Sequence, residues 1–115
     1  MDRIDIQRKR NQNAGLIRFS NRHRNVLKWG KNESYKHVLT KLHICMALKQ
    51  LDKEFYTEAI LMDGNRADVL CTDLGVIFEV YESEKKESLD RKDNIYPLEI
   101  RRVKASSKFE LKDIL

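Results

Sequence analysis

Hydrophobic and polar positions divide the chain into stretches of different period. Residues 1–14 (MDRIDIQRKRNQNA) are polar and sustain no period, so they are expected to be mobile or to order only on a partner. Two short apolar patches follow, Leu16-Ile17-Phe19 and Val26-Leu27-Trp29, on either side of a polar SNRHRN turn, which is a weak hairpin signal. Trp29 is expected to act as a lid on the core, base stacking being its other reading. From Asn32 the period becomes helical. Asn32 is the expected N-cap, Glu33 falls in the first turn, and Val38, Leu39, Leu42, Ile44, Cys45, Leu48 and Leu51 form a stripe running to about Lys53. Glu33, His37 and Lys41, spaced by four, share a face away from the centre of that stripe.

Strand-like segments come next. EFYTEAILM (54–62) ends at the turn Asp63-Gly64-Asn65, ADVLCTD (67–73) ends near Asp73-Leu74-Gly75, and VIFEVYES (76–83) is the most β-branched and apolar piece of the chain. EKKESLDRKDN (84–94) reads as a short exposed helix stopped before Pro97. LEIRRVKA (98–105) alternates as a last strand, and FELKDIL closes the chain as a helical turn. The order is α-β-β-β-α-β. This predicts a single three-layer-like α/β domain over residues 33–115, built on a mixed central sheet of about four strands, with residues 1–32 as an arm that is partly disordered or folded as a hairpin.

Charge sharpens that division. Residues 1–32 hold nine Lys/Arg (Arg3, Arg8, Lys9, Arg10, Arg18, Arg22, Arg24, Lys28 and Lys31) against Asp2 and Asp5, whereas the remaining residues hold fourteen Lys/Arg and sixteen Asp/Glu. The formal net charge of +5 therefore resides in the arm. Such an arm suits a phosphate backbone, where Lys and Arg displace counterions. Arg66, Lys85 and Lys86 are further candidates for holding phosphates, and Arg101-Arg102 would flank a cleft without reading sequence. The 115-residue chain has no apolar run near the ~20 residues a membrane span needs and no secretory leader, so an intracellular protein is expected, encoded by a host, a virus or a plasmid. Cys45 and Cys71 lack CxxC spacing and sit in apolar stretches, which makes them small core residues. No Ser/His/Asp pattern, Gly-rich phosphate loop or zinc-ligand spacing is present.

Asp68 and Glu79 each interrupt a strongly apolar strand. Burying an ionised carboxylate without a partner costs several kcal/mol at least, so a salt bridge, a wet cleft or a cation has to compensate. A hairpin closed by the Asp73–Gly75 turn would set positions 68 and 79 across from each other. Converging hard oxygens of this kind suit Mg²⁺ or Mn²⁺, which can polarise a phosphoryl oxygen and activate water. An ion pair with Arg66 or a lysine is the other outcome.

The order and spacing of these pieces resemble the PD-(D/E)xK nuclease superfamily, nearest to the nuclease domain of CoiA-like proteins, with archaeal Holliday junction resolvases more distant. The residues that carry the likeness are His37-x-x-x-Lys41, Glu58, Arg66-Ala67-Asp68-Val69 and Glu79-Val80-Tyr81-x-Ser83, over roughly residues 33–104. The resemblance implies a restriction-endonuclease-like core, with Asp68 and Glu79 holding the metal and Glu58 assisting. It gives Glu33 as the helix acid that points at the site, and has His37 and Lys41 position a phosphate or the carboxylates. The family's lysine would stand at Tyr81, which carries no positive charge at neutral pH, so Lys85, Lys86 or Lys92 is the expected substitute. The expected activity is that of a Mg²⁺-dependent deoxyribonuclease, acting as an endonuclease; a chain this short would grip a duplex best as a homodimer. A catalytically inactive nucleic-acid-binding module, or a small domain docking an acidic protein through its arm, are the alternatives.

Overall fold

The computed structural model describes residues 3–18, 23–82 and 98–105. Four strands, β1 (Phe55–Ile60), β2 (Arg66–Cys71), β3 (Val76–Tyr81) and β4 (Glu99–Lys104), form one mixed sheet in the order β1-β2-β3-β4. β1–β2 and β2–β3 are antiparallel hairpins, and β4 runs parallel to β3. Both hairpin turns place glycine where φ is positive, Gly64 at 94° and Gly75 at 68°, a conformation that costs glycine little. The four-stranded mixed sheet expected from the alternation is present. The helix expected over residues 84–94 and the closing turn over 109–115 lie outside the described residues.

Helix α2 (Tyr35–Gln50) lies on one face of the sheet. Its Ile44, Cys45, Ala47 and Leu48 pack with Phe55, Val69, Cys71, Phe78, Val80 and Val103. A second cluster on the other face gathers Ile17, Tyr56, Ala59, Leu61, Ala67, Leu70 and Ile77. Both cysteines are buried and free, as their apolar neighbourhoods predict.

The start of α2 differs from expectation. The N-cap is Ser34, whose hydroxyl accepts from His37 N at 3.1 Å, so Asn32 stays outside and Glu33 precedes the helix. At the other end Lys53 N bonds Leu48 O and Asp52 N bonds Lys49 O, with Asp52 at φ 56°. This pair of bonds satisfies the last carbonyls and stops the helix at Gln50 rather than near Lys53.

The N-terminal segment also departs from the expected arm. Residues Arg3–Ala14 form helix α1, tied down by polar contacts. Asn13 Nδ2 donates to Thr72 O at 2.6 Å, and Arg10 donates to both carboxylate oxygens of Asp73 and to Asp52 O. Anchors of that kind leave no apolar period in the sequence. Nor do the two apolar patches at 16–29 pair with each other among the described residues. Ile17 bridges Leu61, with Arg18 N donating to Ile60 O and Met62 N to Leu16 O, while Asn25 N donates to Phe55 O. Lys28 N bonds the Thr57 hydroxyl, which in turn donates to Val26 O. Both patches thus cover the open edge of β1, whose backbone groups would otherwise be unpaired. Trp29 is 61% exposed and does not lid the core. No helix among the described residues is long and apolar enough to cross a membrane.

Candidate functional site

Alternation along β1 and β2 is broken at one level. Tyr56 and Ala59, three residues apart, share the same face, as do Leu70 and Ala67. Between them Glu58 takes φ 50° and the Glu58–Asp68 step drops out of the ladder. A left-handed backbone at a residue with a side chain costs about 1–2 kcal/mol. The step turns both Glu58 and Asp68 toward α2, where Glu58 meets Lys41 and Asp68 meets His37. The β2–β3 ladder also ends here, at Val69–Phe78. One step beyond, Asp68 Oδ2 accepts from Val80 N at 2.8 Å, so a carboxylate takes the place of a main-chain partner and the strands part around it.

Four acids and three cations meet at this fork. Lys41 Nζ, with none of its side chain exposed, donates to Glu58 Oε1 (2.7 Å), to Lys28 O (2.6 Å) and to Glu33 (3.1 Å to Oε2). Glu33 Oε2 takes His37 Nδ1 at 2.6 Å, and Oε1 takes Gly30 N at 3.1 Å. His37 Nε2 lies 3.1 Å from Val80 O and 3.5 Å from Asp68 Oδ2. Arg66 Nη1, on a side chain 63% exposed, is 3.4 Å from Glu58 Oε2. Asp68 also neighbours Glu79, which is buried.

The electrostatics follow from these contacts. The Asp68 hydrogen bond, set against burial and reinforced by Glu33, pushes the His37 imidazole up to about 9, so the ring is cationic at neutral pH. Burial pushes the Asp68 carboxyl up, but His37, the Val80 N–H and Glu79 together hold it below its ordinary value. Glu33 is likewise held low, burial being outweighed by His37, the Gly30 N–H and Lys41.

A pH dependence of stability follows. Because His37 binds its proton more tightly when folded, its contribution is complete below the ordinary value of 6.5 and is lost as pH rises through about 9. The lowered Glu33 and Asp68 act in the opposite sense, contributing above their ordinary carboxylate values and losing that contribution as pH falls. Thermal unfolding should therefore show a maximum between about pH 5 and 6.5 and a decline toward pH 9, on the order of 2 kcal/mol after allowance for screening at the partly exposed ring. In His37→Gln the alkaline decline should flatten; an unchanged decline would remove His37 as its cause.

The sequence-predicted residues Glu33, His37, Glu58, Asp68 and Glu79 are brought together. Tyr81 is half-buried at the end of β3 beside Lys104, and among the described residues its hydroxyl makes no hydrogen bond to the cluster. Lys41 is placed among the carboxylates, not where a phosphate could reach it. Arg10 is committed to Asp73 at the far end of β2, whereas Arg8, Arg18, Arg24 and Lys31 are exposed and Lys9 and Lys28 half-buried. Arg22, Lys85, Lys86 and Lys92 lie outside the described residues. Val80, which offers both N–H and C=O to the site, and the Lys28 carbonyl carried no signal in the sequence, since they act through backbone. Lys41 did carry one: it lies four residues before Cys45 and seven before Leu48, on the buried stripe itself.

Donor chemistry decides which acids fit a metal. Both oxygens of Glu33 and of Glu58 are already taken by protein cations or N–H groups. Asp68 and Glu79 are adjacent, so with both ionised they would need a cation between them. Among the described residues no group of three or more His, Cys, Asp or Glu is gathered as a cage. Two carboxylates still suit Mg²⁺, which keeps several waters and is commonly held by one or two carboxylates plus phosphate oxygens. Compared with protein-family models, with curated proteins and with solved structures, the chain matches none.

Proposed function

We propose that this chain is a metal-dependent nuclease that hydrolyses phosphodiester bonds in DNA, with Asp68 and Glu79 as the residues that hold Mg²⁺ or Mn²⁺. The observation that carries the reading is convergence: Asp68 and Glu79 come together where β2 and β3 part, with Glu33 and Glu58 close by and held by Lys41, His37 and Arg66. The strained φ of Glu58 at the same level fits a functional site, where local backbone strain tends to collect. The likeness to the restriction-endonuclease-like core, with its α-β-β-β-α-β order, is part of this proposal.

The chain's own residues have distinct tasks. Asp68 is held ionised by His37 and the Val80 N–H. Tyr81 offers a hydrogen bond and no charge, and Arg66, exposed beside Glu58, is the cation placed to meet a phosphate from solvent. Bound Mg²⁺ would supply Lewis-acid polarisation of the phosphoryl oxygen and a more acidic water. Exposed Arg18, Arg24 and Lys31 supply sequence-independent backbone contacts. A homodimer would set two such forks on two strands.

One observation favours a second reading, a binding module without catalysis. His37 is cationic and already faces Asp68, so the acid has an internal partner. Plasmid and single-stranded DNA incubated with Mg²⁺, Mn²⁺ or EDTA separate the two. Cleavage that requires the metal and stops in EDTA is the expected result. Cleavage that survives EDTA overturns the metal reading, and binding without cleavage favours the module.

A further inference from the structure

Glu33 is the acid that the family likeness sends toward the reacting atoms, but its carboxylate has nothing left to offer them. Oε1 receives Gly30 N (3.1 Å) and Lys41 Nζ (3.3 Å), and Oε2 receives His37 Nδ1 (2.6 Å) and Lys41 Nζ (3.1 Å). What it holds is the imidazole. With Nδ1 pinned on one side, the ring presents Nε2 to Val80 O and Asp68 Oδ2 on the other. Lys41 locks the carboxylate from behind and is itself fixed to Lys28 O and Glu58.

We infer that Glu33 is a positioning residue, acting through His37 to hold the Asp68 carboxylate turned toward Glu79 before a divalent ion arrives. The inference rests on the metal-site reading of Asp68 and Glu79. The ring of a histidine bonded on one nitrogen alone can rotate or flip. Bonded on both, it sets the direction of whatever it touches, in the way outer partners orient metal-ligating groups. Five segments converge on this chain of contacts: the loop at Lys28–Gly30, α2, β1, β2 and β3. Asp68 is therefore referenced to the whole framework and not to its own strand alone.

The test uses the full chain, with Mn²⁺ affinity read by electron paramagnetic resonance and cleavage measured alongside. Glu33→Gln keeps the shape and removes the charge; it should weaken Mn²⁺ binding and lower kcat by about 10- to 100-fold, with KM for DNA within about twofold. Mn²⁺ affinity and kcat within twofold of the unmodified chain would overturn the inference. Should the variant fail to fold, the unmodified protein still decides: ¹⁵N-histidine spectra should show one ring with an Nδ1–H protected from exchange. A freely exchanging Nδ1–H on His37 overturns the inference. Unmodified protein that takes up Mn²⁺ but cuts no DNA sinks the nuclease reading, while the Mn²⁺ comparison still judges Glu33. Protein that takes up no Mn²⁺ sinks both.

Discussion

Replacing Lys41 with methionine is expected to lower the unfolding free energy by about 3–5 kcal/mol, the cost of breaking a buried ion pair from one side. Methionine keeps most of the side-chain volume, so the loss measures charge and hydrogen bonding more than a cavity. Lys41 is wholly enclosed and is the shared donor of Glu33, Glu58 and the Lys28 carbonyl. Without its ammonium, two carboxylates are left crowded in a poorly solvated place. Glu58 retains Arg66, and Glu33 retains His37 and Gly30 N. Domains of this size have roughly 5–15 kcal/mol of stability in all, so the variant should be marginal. Urea unfolding should show a much lower midpoint at similar slope, since the surface exposed on unfolding is unchanged. The triple variant Lys41→Met, Glu33→Gln, Glu58→Gln should recover part of the loss, because the stranded charges go with the lysine. A single variant within about 1 kcal/mol of the parent would show that the network contributes little to folding.

What the sequence disclosed and what it hid divide along physical lines. The strands were legible because a half-buried strand must alternate and a tight hairpin needs turn residues. Val76–Tyr81 and the glycines at 64 and 75 meet those demands openly. Helix α1 was illegible because Arg10 and Asn13 dock it by hydrogen bonds to Asp73 and Thr72, which impose no apolar period. The start of α2 was misplaced by two residues because Asn32 and Ser34 are both good caps, and only the bond from His37 N to Ser34 chooses between them. The membership of the acidic site was readable, since a carboxylate within an apolar strand calls for compensation. Its wiring was not. The pleat step at Glu58 occurs at a residue with no glycine-like signal, and the Val80 and Lys28 backbone groups have no side-chain signature. Lys41 meets the carboxylates, one of its two expected tasks, and its depth follows from its place on the stripe through Cys45 and Leu48.

Asp68→Asn and Glu79→Gln are expected to reduce metal-dependent cleavage by about 10³-fold or more each, comparable with removing a principal electrostatic element of a catalytic site. Their effects on folding should differ from that loss and from each other. With no divalent ion, the Asp68–Glu79 contact brings two acidic groups together in a buried place, so Glu79→Gln should leave stability unchanged or raise it. Asp68→Asn can keep the bond from Val80 N through its amide oxygen but gives up the charge opposite His37, and it should cost stability near neutral pH. Mg²⁺ then separates site from scaffold. An ion that binds only the folded chain adds about 2.7 kcal/mol at a hundred times its dissociation constant. The parent should therefore gain thermal stability on titration with Mg²⁺ or Mn²⁺, and neither variant should. The same gain in both variants would place the ion elsewhere on the molecule. No gain in the parent would return Asp68 to the role of counter-ion for His37, with Glu79 stabilised by its neighbours and the basic surface as the remaining means of engaging a polyanion.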